Sequence, residues 1–304
     1  HNVSLRRIAI KRGYKLSEYG LFKSKKLIAG KTEEEIYKKL GMQYIPPELR
    51  RNQGEIEEAQ KNRIPELIKI SDIKGDLQSH STWSDGANSV LEMAQAAKKL
   101  NHDYLAITDH AGMLKIAGAL GPKDIQKYAT AIDKASKQIE NFTILKGVEV
   151  DIKLDGSLSL PASSLKKMDI VLGAVHTGLR RDNTKRIITA LENPYLDILA
   201  HPTGRIIDKR RPYKVDINRI FDAAKKNNKI LEINSFPTRM DLNDAYAKQA
   251  VEENIRLSIG TDSHSTDSLR NYRLGVAIAR RAWATKKDII NTYSLTKLRK
   301  LLKK

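Results

Sequence analysis

From about residue 72, seven short, apolar, β-rich runs alternate with longer helical stretches. The strand candidates are IKGDLQSH, DYLAITDH, FTILKGVEV, DIVLGAVH, LDILAH, KILEINS and IRLSIGTD. Near-continuous apolar strands separated by helices are typical of a parallel sheet that is covered on both faces. Because no Gly-x-Gly-x-x-Gly turn follows the first strand, seven units in series favour a barrel over a doubly wound sheet. In such barrels the functional side chains lie at the carboxyl ends of the strands.

Titratable side chains fall at those strand ends. Five of the seven histidines close a strand candidate, namely His80, His110, His176, His201 and His264. Asp109, Glu149, Glu232 and Asp262 occupy strand ends as well. Since the strands of a barrel end on one rim, we expect these groups to converge there. Imidazole with carboxylate, in a chain that has no cysteine, is the ligand set of hydrolytic Zn²⁺, Mn²⁺ or Fe sites.

Each of these residues also has a structural interpretation. His201 precedes Pro202 and could cap a turn, while Asp109 and Asp262 could be N-caps of helices. Taken together, five histidines with Asp85, Glu149 and Asp262 are too many ligands for one ion. They suit two or three ions that share a carboxylate. Such a cluster lowers the pKa of bound water and stabilises the attacking and leaving oxygens of a phosphoester.

The charge of the chain points to a polyanionic partner. Among 304 residues, Lys and Arg exceed Asp and Glu by 19, and the basic segments are spread along the sequence. Such a balance favours nucleic acid through phosphate contacts, although a generally lysine-rich proteome would produce the same excess. The absence of cysteine fits a reducing compartment. No apolar run approaches the roughly 20 residues that span a bilayer, so no membrane partner is expected.

The amino-terminal region differs in sequence pattern from the rest of the chain. NVSLRRIAIKRG and TEEEIYKKLG are short amphipathic stretches that close with Gly, as helices often do. The region ends at MQYIPPELR, where two consecutive prolines interrupt regular structure. The next segment, EIEEAQKNRIPELIKISD, is predicted to be a linker with a short helix. We therefore predict an amino-terminal subdomain at 1–55, a linker at 56–71 and the barrel domain at 72–304.

The motifs at the strand ends carry a family resemblance. GDLQSHSTWSDG, AITDH, GVEVDI, GAVHTG, AHPTGR, EINSFP and GTDSH resemble, in order and spacing, the motifs of the PHP (polymerase and histidinol phosphatase) domain. Their order and spacing resemble those of the PHP domain at the carboxyl end of bacterial and archaeal family X DNA polymerases. Residues 1–55 are similar to the last part of the polymerase thumb in those enzymes. The palm that carries out nucleotidyl transfer is not in this chain.

The resemblance implies an α/β fold, a distorted (β/α)7 TIM-like barrel with a small α+β thumb remnant. It also implies up to three Mn²⁺ or Zn²⁺ ions, with Fe as an option, in three ligand groups. One group would be His80, Glu149 and Asp262. A second would share Glu149 and add His176 and His201. A third would be Asp85, His110 and His264. Catalysis would depend most directly on His80, Glu149, His176, Asp262 and His264.

One position departs from the family pattern. Gln78 stands two residues before His80, where the fuller form of the family has a histidine. An amide oxygen is a neutral and weaker donor than imidazole. We therefore expect Gln78 to be a weak ligand and the first ion to bind less tightly than the others.

Other residues near the predicted rim each have a functional and a structural interpretation. Arg205, Arg239, Arg210 and Arg211 could bind substrate phosphates, since guanidinium matches phosphate bidentately, or could belong to a solvated basic loop. Trp83 could stack on a base or pack beneath a loop. Asn234 and Asp241 could orient a ligand or cap a helix, and Asp109 could orient His110.

The expected function is a metal-dependent phosphodiesterase of a family X polymerase, acting in DNA repair. Its reaction would be 3′→5′ exonuclease or 3′-end processing, with abasic-site cleavage as a further activity. Expected partners are DNA, especially 3′ ends or gaps, and the missing polymerase half, in a prokaryotic cytoplasm at the nucleoid. The alternatives are a phosphomonoesterase of the histidinol phosphatase type and a metal-stabilised structural module without turnover.

Overall fold

A computed structural model describes residues 1–302 and divides the chain into two compact units, His1–Leu67 and a second that begins at Ile68. The boundary falls inside the segment predicted as a linker.

The first unit combines helices with a small antiparallel sheet of strand order β1-β2-β3. Its elements are α1 (Asn2–Lys11), β1 (Lys15–Ser17), β2 (Gly20–Lys23), β3 (Lys26–Ala29), α2 (Glu33–Lys39) and α3 (Glu55–Gln60). The side chain of Thr32 caps α2 by accepting a hydrogen bond from the Glu35 amide, and three glutamates lie in the first turn of that helix. Negative charge at a helix amino terminus is stabilising. The two predicted amphipathic helices are thus confirmed.

The second unit is a parallel barrel surrounded by helices. Its strands are β4 (Gly75–Asp76), β5 (Tyr104–Ile107), β6 (His110–Ala111), β7 (Thr143–Asp151), β8 (Ile170–Ala174), β9 (Ile198–Leu199), β10 (Ile230–Asn234) and β11 (Leu257–Gly260). Its helices are α4 (Val90–Lys99), α5 (Ile125–Ser136), α6 (Ala162–Leu165), α7 (Thr184–Leu191), α8 (Ile217–Lys226), α9 (Asp244–Glu252), α10 (Tyr272–Arg281) and α11 (Leu295–Leu301). The strand order is β4-β5-β7-β8-β9-β10-β11, with β6 paired to β7. The predicted seven-stranded α/β barrel is confirmed.

The two terminal strands of the sheet, β4 and β11, are joined without a regular ladder. Just beyond their carboxyl ends, the Asp262 amide donates to the Gln78 carbonyl at 3.0 Å and the His80 amide donates to Ser263 at 2.8 Å. Deeper in the barrel, the buried Asn291 side chain donates to the carbonyls of Gly75 at 2.9 Å and Ile259 at 2.8 Å, and accepts from the Ile259 amide at 2.7 Å. Asn291 therefore bridges β4 to β11 and nearly closes the barrel.

The period of two along each strand separates two cores. In β8, Ile170, Leu172 and Ala174 belong to the core inside the barrel, whereas Val171 packs with the layer of helices. In β7, Leu145 lies in the inner core and Val148 in the outer one, so Glu149 has the inward parity. The strands thereby turn their last polar side chains toward the mouth of the barrel.

A buried histidine away from the barrel mouth makes the stability of the fold sensitive to acid. His102 lies against the ring of Tyr272, with ring centroids 5.0 Å apart, and burial lowers the pKa of its imidazole to about 4. Because the unfolded state binds this proton more readily, stability is lost as the pH falls from about 6.5 toward 4. The loss amounts to at most about 3 kcal/mol.

We expect His102→Phe, which keeps a ring against Tyr272 but cannot titrate, to flatten the pH dependence of unfolding in this window. Urea unfolding at pH 7 and pH 4.5 in EDTA measures the difference. If the free energy of unfolding changes equally between pH 7 and pH 4.5 in the variant and the wild type, His102 is excluded as a source of the acid sensitivity.

Candidate metal centre

Glu149 lies at the centre of the side chains that line the barrel mouth. Its buried carboxylate, near the end of β7, is approached by four imidazoles: His201 Nε2 at 2.8 Å, His110 Nδ1 at 3.3 Å, His176 Nε2 at 3.4 Å and His80 Nε2 at 3.5 Å. Burial alone would raise the pKa of Glu149, but the imidazoles of His110, His176 and His201 hold it well below its usual range. Strands from opposite parts of the sequence meet here because all of them end on the same rim.

The deepest ligand group is His80, Glu149 and Asp262, all of which are buried. His80 Nε2 lies 3.1 Å from Asp262 Oδ1. Burial would raise the pKa of Asp262, but the His80 hydrogen bond and the charge of Arg239 lower it. These are the residues of the first set that the family resemblance implied, and metal binding by them stays a prediction.

A second cluster opens toward solvent. His264 Nε2 lies 3.3 Å from Asp85 Oδ1, and His110 Nε2 lies 3.7 Å from Asp85 Oδ2. The side chains of His264 and Asp85 are 34% and 35% exposed, so this is the accessible edge of the centre. The His80 ring stacks on His264 and on His110, with centroids 4.3 and 4.4 Å apart. Burial would raise the pKa of Asp85, but the neighbouring imidazoles lower it to about 2.

The side chains fit divalent ions. His176 and His264 each bond an oxygen through Nδ1, to Asp151 Oδ1 at 2.9 Å and to the Asp262 carbonyl at 2.8 Å, which turns Nε2 of each ring toward the centre. Metal-ligating histidines are held by an oxygen partner in this way. Within residues 1–302, the buried Nε2 of His176 and Nδ1 of His110 make no hydrogen bond although each lies beside Glu149. Nitrogen and carboxylate donors with no thiolate suit Zn²⁺ or Mn²⁺.

The grouping of ligands differs in detail from the prediction. The atoms that lie within 4.8 Å of one another form three groups: His80, Glu149 and Asp262; His110, Glu149 and His176; and His80, Asp85, His110 and His264. The middle group thus contains His110 where His201 was predicted. His201 still contacts Glu149 through Nε2, and its backbone amide donates to Glu232 at 2.8 Å.

Gln78 has a carboxylate partner that the sequence did not indicate. Its buried amide lies against the carboxylate of Glu232, and with its nitrogen directed there it donates to both oxygens, to Oε2 at 2.9 Å. Burial raises the pKa of Glu232, and the nearby Asp262 adds to this effect. The geometry is that of a hydrogen-bonded pair beside the first ligand group, and coordination by Gln78 stays a prediction.

Two polar residues of the rim have structural partners. Asn234 Nδ2 donates to Asp262 Oδ2 at 3.1 Å and so orients a predicted ligand. Asp241 accepts from the Thr203 amide at 3.0 Å and the Gly204 amide at 2.8 Å, which holds the turn after His201. It caps no helix, because Asn243 is the N-cap of α9.

Asp109 does not orient His110. Its carboxylate accepts from the Ser81 amide at 2.7 Å, the Ser81 hydroxyl at 2.6 Å and the Ser84 hydroxyl at 2.7 Å. Asp109 therefore fixes the turn that carries Asp85. The prediction was wrong about the partner because sequence adjacency does not show which strand a side chain faces. Trp83, in the same turn, packs edge-on against Tyr128, with centroids 5.7 Å apart.

The four predicted phosphate-binding arginines differ in availability. Arg205 donates to the carbonyls of Arg239 and Met240, so its guanidinium braces a loop. Arg210 donates from Nε to the Gly204 carbonyl at 2.9 Å, and Arg211 is exposed. Arg239 lies at the centre itself, with Nε 3.2 Å from Asp262 Oδ2. Its Nη1 is buried and has no hydrogen-bond partner in the described part of the chain. Arg239 thus lies against a predicted ligand, and phosphate binding by the four arginines stays a prediction.

Two residues of the centre were not assigned roles from the sequence. Asp151 bonds His176, and Glu232 bonds Gln78. The alternation of side chains along a strand could have indicated both residues. Each lies two positions from another polar residue at the end of its strand, so its side chain points to the same inner face of the barrel. That signal places a side chain at the mouth but does not name its partner.

A parallel barrel whose rim gathers imidazoles and carboxylates defines a class of protein, the metal-dependent phosphoester hydrolases. The match to known families agrees: residues 76–236 match the PHP domain and residues 1–51 match the DNA polymerase beta thumb. The chain belongs to the PHP domain family.

Individual relatives resemble the chain over different extents. It is 41% identical over its whole length to the DNA polymerase/3′-5′ exonuclease PolX of Bacillus subtilis, and spans 54% of the length of that protein. It is 32% identical, over 75% of its length, to a probable phosphatase of Thermoanaerobacter sp., of which it covers 94%. The resemblance to family X polymerases is thus confirmed.

A solved structure shares the fold of the barrel. Histidinol phosphate phosphatase from Lactococcus lactis, complexed with zinc, L-histidinol and phosphate, matches with a TM-score of 0.52 and 17% identity. The match covers 68% of this chain and 93% of that one. Among the described residues, no helix is long and apolar enough to cross a membrane.

Proposed function

We propose that this chain hydrolyses phosphodiester bonds at the 3′ ends of DNA, using two or three divalent ions held at the candidate metal centre. The observation that carries the proposal is the convergence of four imidazoles on the buried Glu149 carboxylate. The cofactors would be Mn²⁺ or Zn²⁺, with Fe as an alternative, because the donors are imidazole nitrogen and carboxylate oxygen.

The ligand groups follow the geometry of the mouth. The first ion would take His80, Glu149 and Asp262. The second would take Glu149, His176 and His110, and His201 would contact the shared Glu149 carboxylate. The third would take Asp85, His110 and His264, beside His80. When bound, the ions would supply the positive charge that activates water and stabilises the attacking and leaving oxygens.

The chain's own residues position the substrate. Arg239 would bind a non-bridging phosphate oxygen through Nη1, which has no other hydrogen-bond partner in residues 1–302, while its Nε stays on Asp262. Arg210 and Arg211 would hold the next phosphate along the strand, since guanidinium groups match phosphate geometry. Asn234 keeps Asp262 in place through its amide. The exposed edge at His264 and Asp85 would admit the substrate.

DNA as the substrate is supported by three features. Residues 1–51 match a polymerase thumb, the net charge is +19, and the Bacillus relative is named as a 3′-5′ exonuclease. We infer that gapped ends and abasic sites in repair are further substrates, and that a polymerase half is the partner of this chain. Its setting would be a prokaryotic cytoplasm, at the nucleoid.

A second candidate function is hydrolysis of a phosphomonoester. It is favoured by the probable phosphatases, which this chain covers almost completely. The same ligands would serve it, but the substrate would be a small phosphate ester. DNA binding should weaken steeply with salt, because it releases counterions, whereas a small ester should respond less.

The deciding experiment is incubation of a 5′-labelled single-stranded oligonucleotide with Mn²⁺, beside p-nitrophenyl phosphate. We expect a ladder of products shortened from the 3′ end that EDTA and His176→Ala abolish and that added KCl suppresses. His102→Phe, which changes a histidine outside the centre, is the matched control and should keep the ladder. Turnover of the small ester alone would replace the nuclease by the phosphatase. Metal binding without turnover of either would reject both.

The Gln78–Glu232 pair leads to a separate prediction. In Gln78→His, an imidazole would face Glu232, which could accept its N–H and leave the other nitrogen for the first ion. We expect metal affinity at the weakest site to rise by about 10-fold. Titration calorimetry with Mn²⁺ measures it, with Gln78→Leu as the control that offers no donor. Equal affinities of wild type and Gln78→His would contradict the prediction.

A further inference from the structure

We propose that Asp151 is the positioning residue that fixes the ring of His176 for metal binding, a role that rests on the proposed function. Asp151 is the last residue of β7, two positions after Glu149, and it is buried. It is not among the residues that the sequence motifs single out as ligands.

The first contact of Asp151 determines which nitrogen of His176 faces the centre. Asp151 Oδ1 lies 2.9 Å from His176 Nδ1, so that nitrogen carries the proton and donates it to the carboxylate. In the neutral imidazole the lone pair then lies on Nε2, which is 3.4 Å from Glu149 Oε1 and makes no hydrogen bond to any described residue. A carboxylate partner of this kind fixes both the tautomer and the orientation of a ligating imidazole.

The second contact of Asp151 holds a loop. Its Oδ2 accepts a hydrogen bond from the Met113 amide at 2.7 Å. The hydroxyl of Ser159 ties the same loop, because it donates to the Ala111 carbonyl at 3.0 Å and accepts from the Asp151 amide at 3.1 Å. Gly112 passes so close that a Cβ there would meet the Ser159 side chain.

These two contacts explain why the residue is aspartate. A carboxylate accepts from two N–H groups, whereas an asparagine amide has one oxygen and one NH₂. In Asp151→Asn, the oxygen can serve either His176 Nδ1–H or the Met113 amide. If it serves Met113, the NH₂ group faces His176 Nδ1 and forces the proton onto Nε2, which then cannot bind a metal. If it serves His176, the NH₂ group opposes the amide N–H of Met113, donor against donor.

The test is a double-mutant cycle on Zn²⁺ affinity, measured by competition with a chromogenic chelator. The proteins are wild type, Asp151→Asn, His176→Ala and the double variant, with Ser159→Ala as the matched control that loosens the same loop without touching His176. Asp151→Asn should lower the affinity by about 10- to 100-fold and Ser159→Ala by less than about 3-fold. In the His176→Ala background, Asp151→Asn should have almost no further effect.

A second measurement needs no variant. In the Zn²⁺-loaded wild type, ¹⁵N spectra of the histidine rings should show His176 protonated at Nδ1 and coordinated through Nε2. Coordination through Nδ1, an equal loss of affinity from Asp151→Asn in both backgrounds, or a loss in Ser159→Ala as large as in Asp151→Asn would overturn the proposal. Absence of Zn²⁺ binding by the wild type would overturn the proposed function as well, so the two failures are distinguishable.

Discussion

Glu149→Gln is expected to lower divalent-metal affinity by more than about 100-fold and to abolish hydrolysis. An amide is neutral and presents one oxygen, whereas the carboxylate of Glu149 faces four imidazoles with both. Loss of a partner that only orients a ligand already weakens metal binding by about 10- to 100-fold, so loss of a shared ligand should exceed that. The change affects two of the three ligand groups, since both contain Glu149.

Metal analysis after dialysis against limiting Zn²⁺, together with the oligonucleotide assay, measures this effect. Glu140→Gln, which changes an exposed glutamate in the same way, should bind and hydrolyse as the wild type does. Unfolding in EDTA should show that both variants fold. Retention of all bound ions by Glu149→Gln would show that the carboxylate is not shared between ions.

Asn291→Leu is expected to destabilise the barrel by at least about 3 kcal/mol. The substitution removes three hydrogen bonds and leaves the carbonyls of Gly75 and Ile259 and the Ile259 amide without their side-chain partner. Each buried group left unsatisfied costs about 1 to 3 kcal/mol. Because these groups belong to β4 and β11, the loss falls where the sheet lacks a regular ladder.

Urea unfolding followed by circular dichroism measures the change in the free energy of unfolding. Asn218→Leu is the control, since Asn218 is exposed and accepts one side-chain hydrogen bond, from Gln249. We expect the control to change stability by less than about 0.5 kcal/mol. Similar losses in the two variants would mean that Asn291 does not hold the ends of the sheet together.

The class of fold and the members of the centre could be predicted from the sequence for a physical reason. A buried parallel strand is apolar on both faces until it reaches the rim, so a polar residue that ends such a run marks the mouth of the barrel. That rule found His80, Glu149, His176 and Asp262 although they are far apart in the chain. It applies to any barrel whose strands end on one rim.

Pairing within the centre could not be predicted in the same way. Asp109 and His110 are adjacent in sequence, yet Asp109 binds the Ser81–Ser84 turn while His110 faces Glu149. Gln78 was expected to be a weak ligand, which stays a prediction, but the sequence did not indicate that its amide also lies against Glu232. In both cases the partner comes from a separate segment of the chain, and the choice depends on distances of a few ångströms at the barrel mouth.

The sequence by itself determined the seven-stranded α/β barrel, the set of imidazoles and carboxylates at its rim and the chemistry that such donors support. Only the tertiary structure decided that four imidazoles contact Glu149, that Asp151 holds His176 and that Asn291 joins the two terminal strands of the sheet. The reason is that periodicity follows from local backbone geometry, which repeats every two residues in a strand. Hydrogen-bond partners are set by how separate strands come together in three dimensions, and no local pattern encodes that.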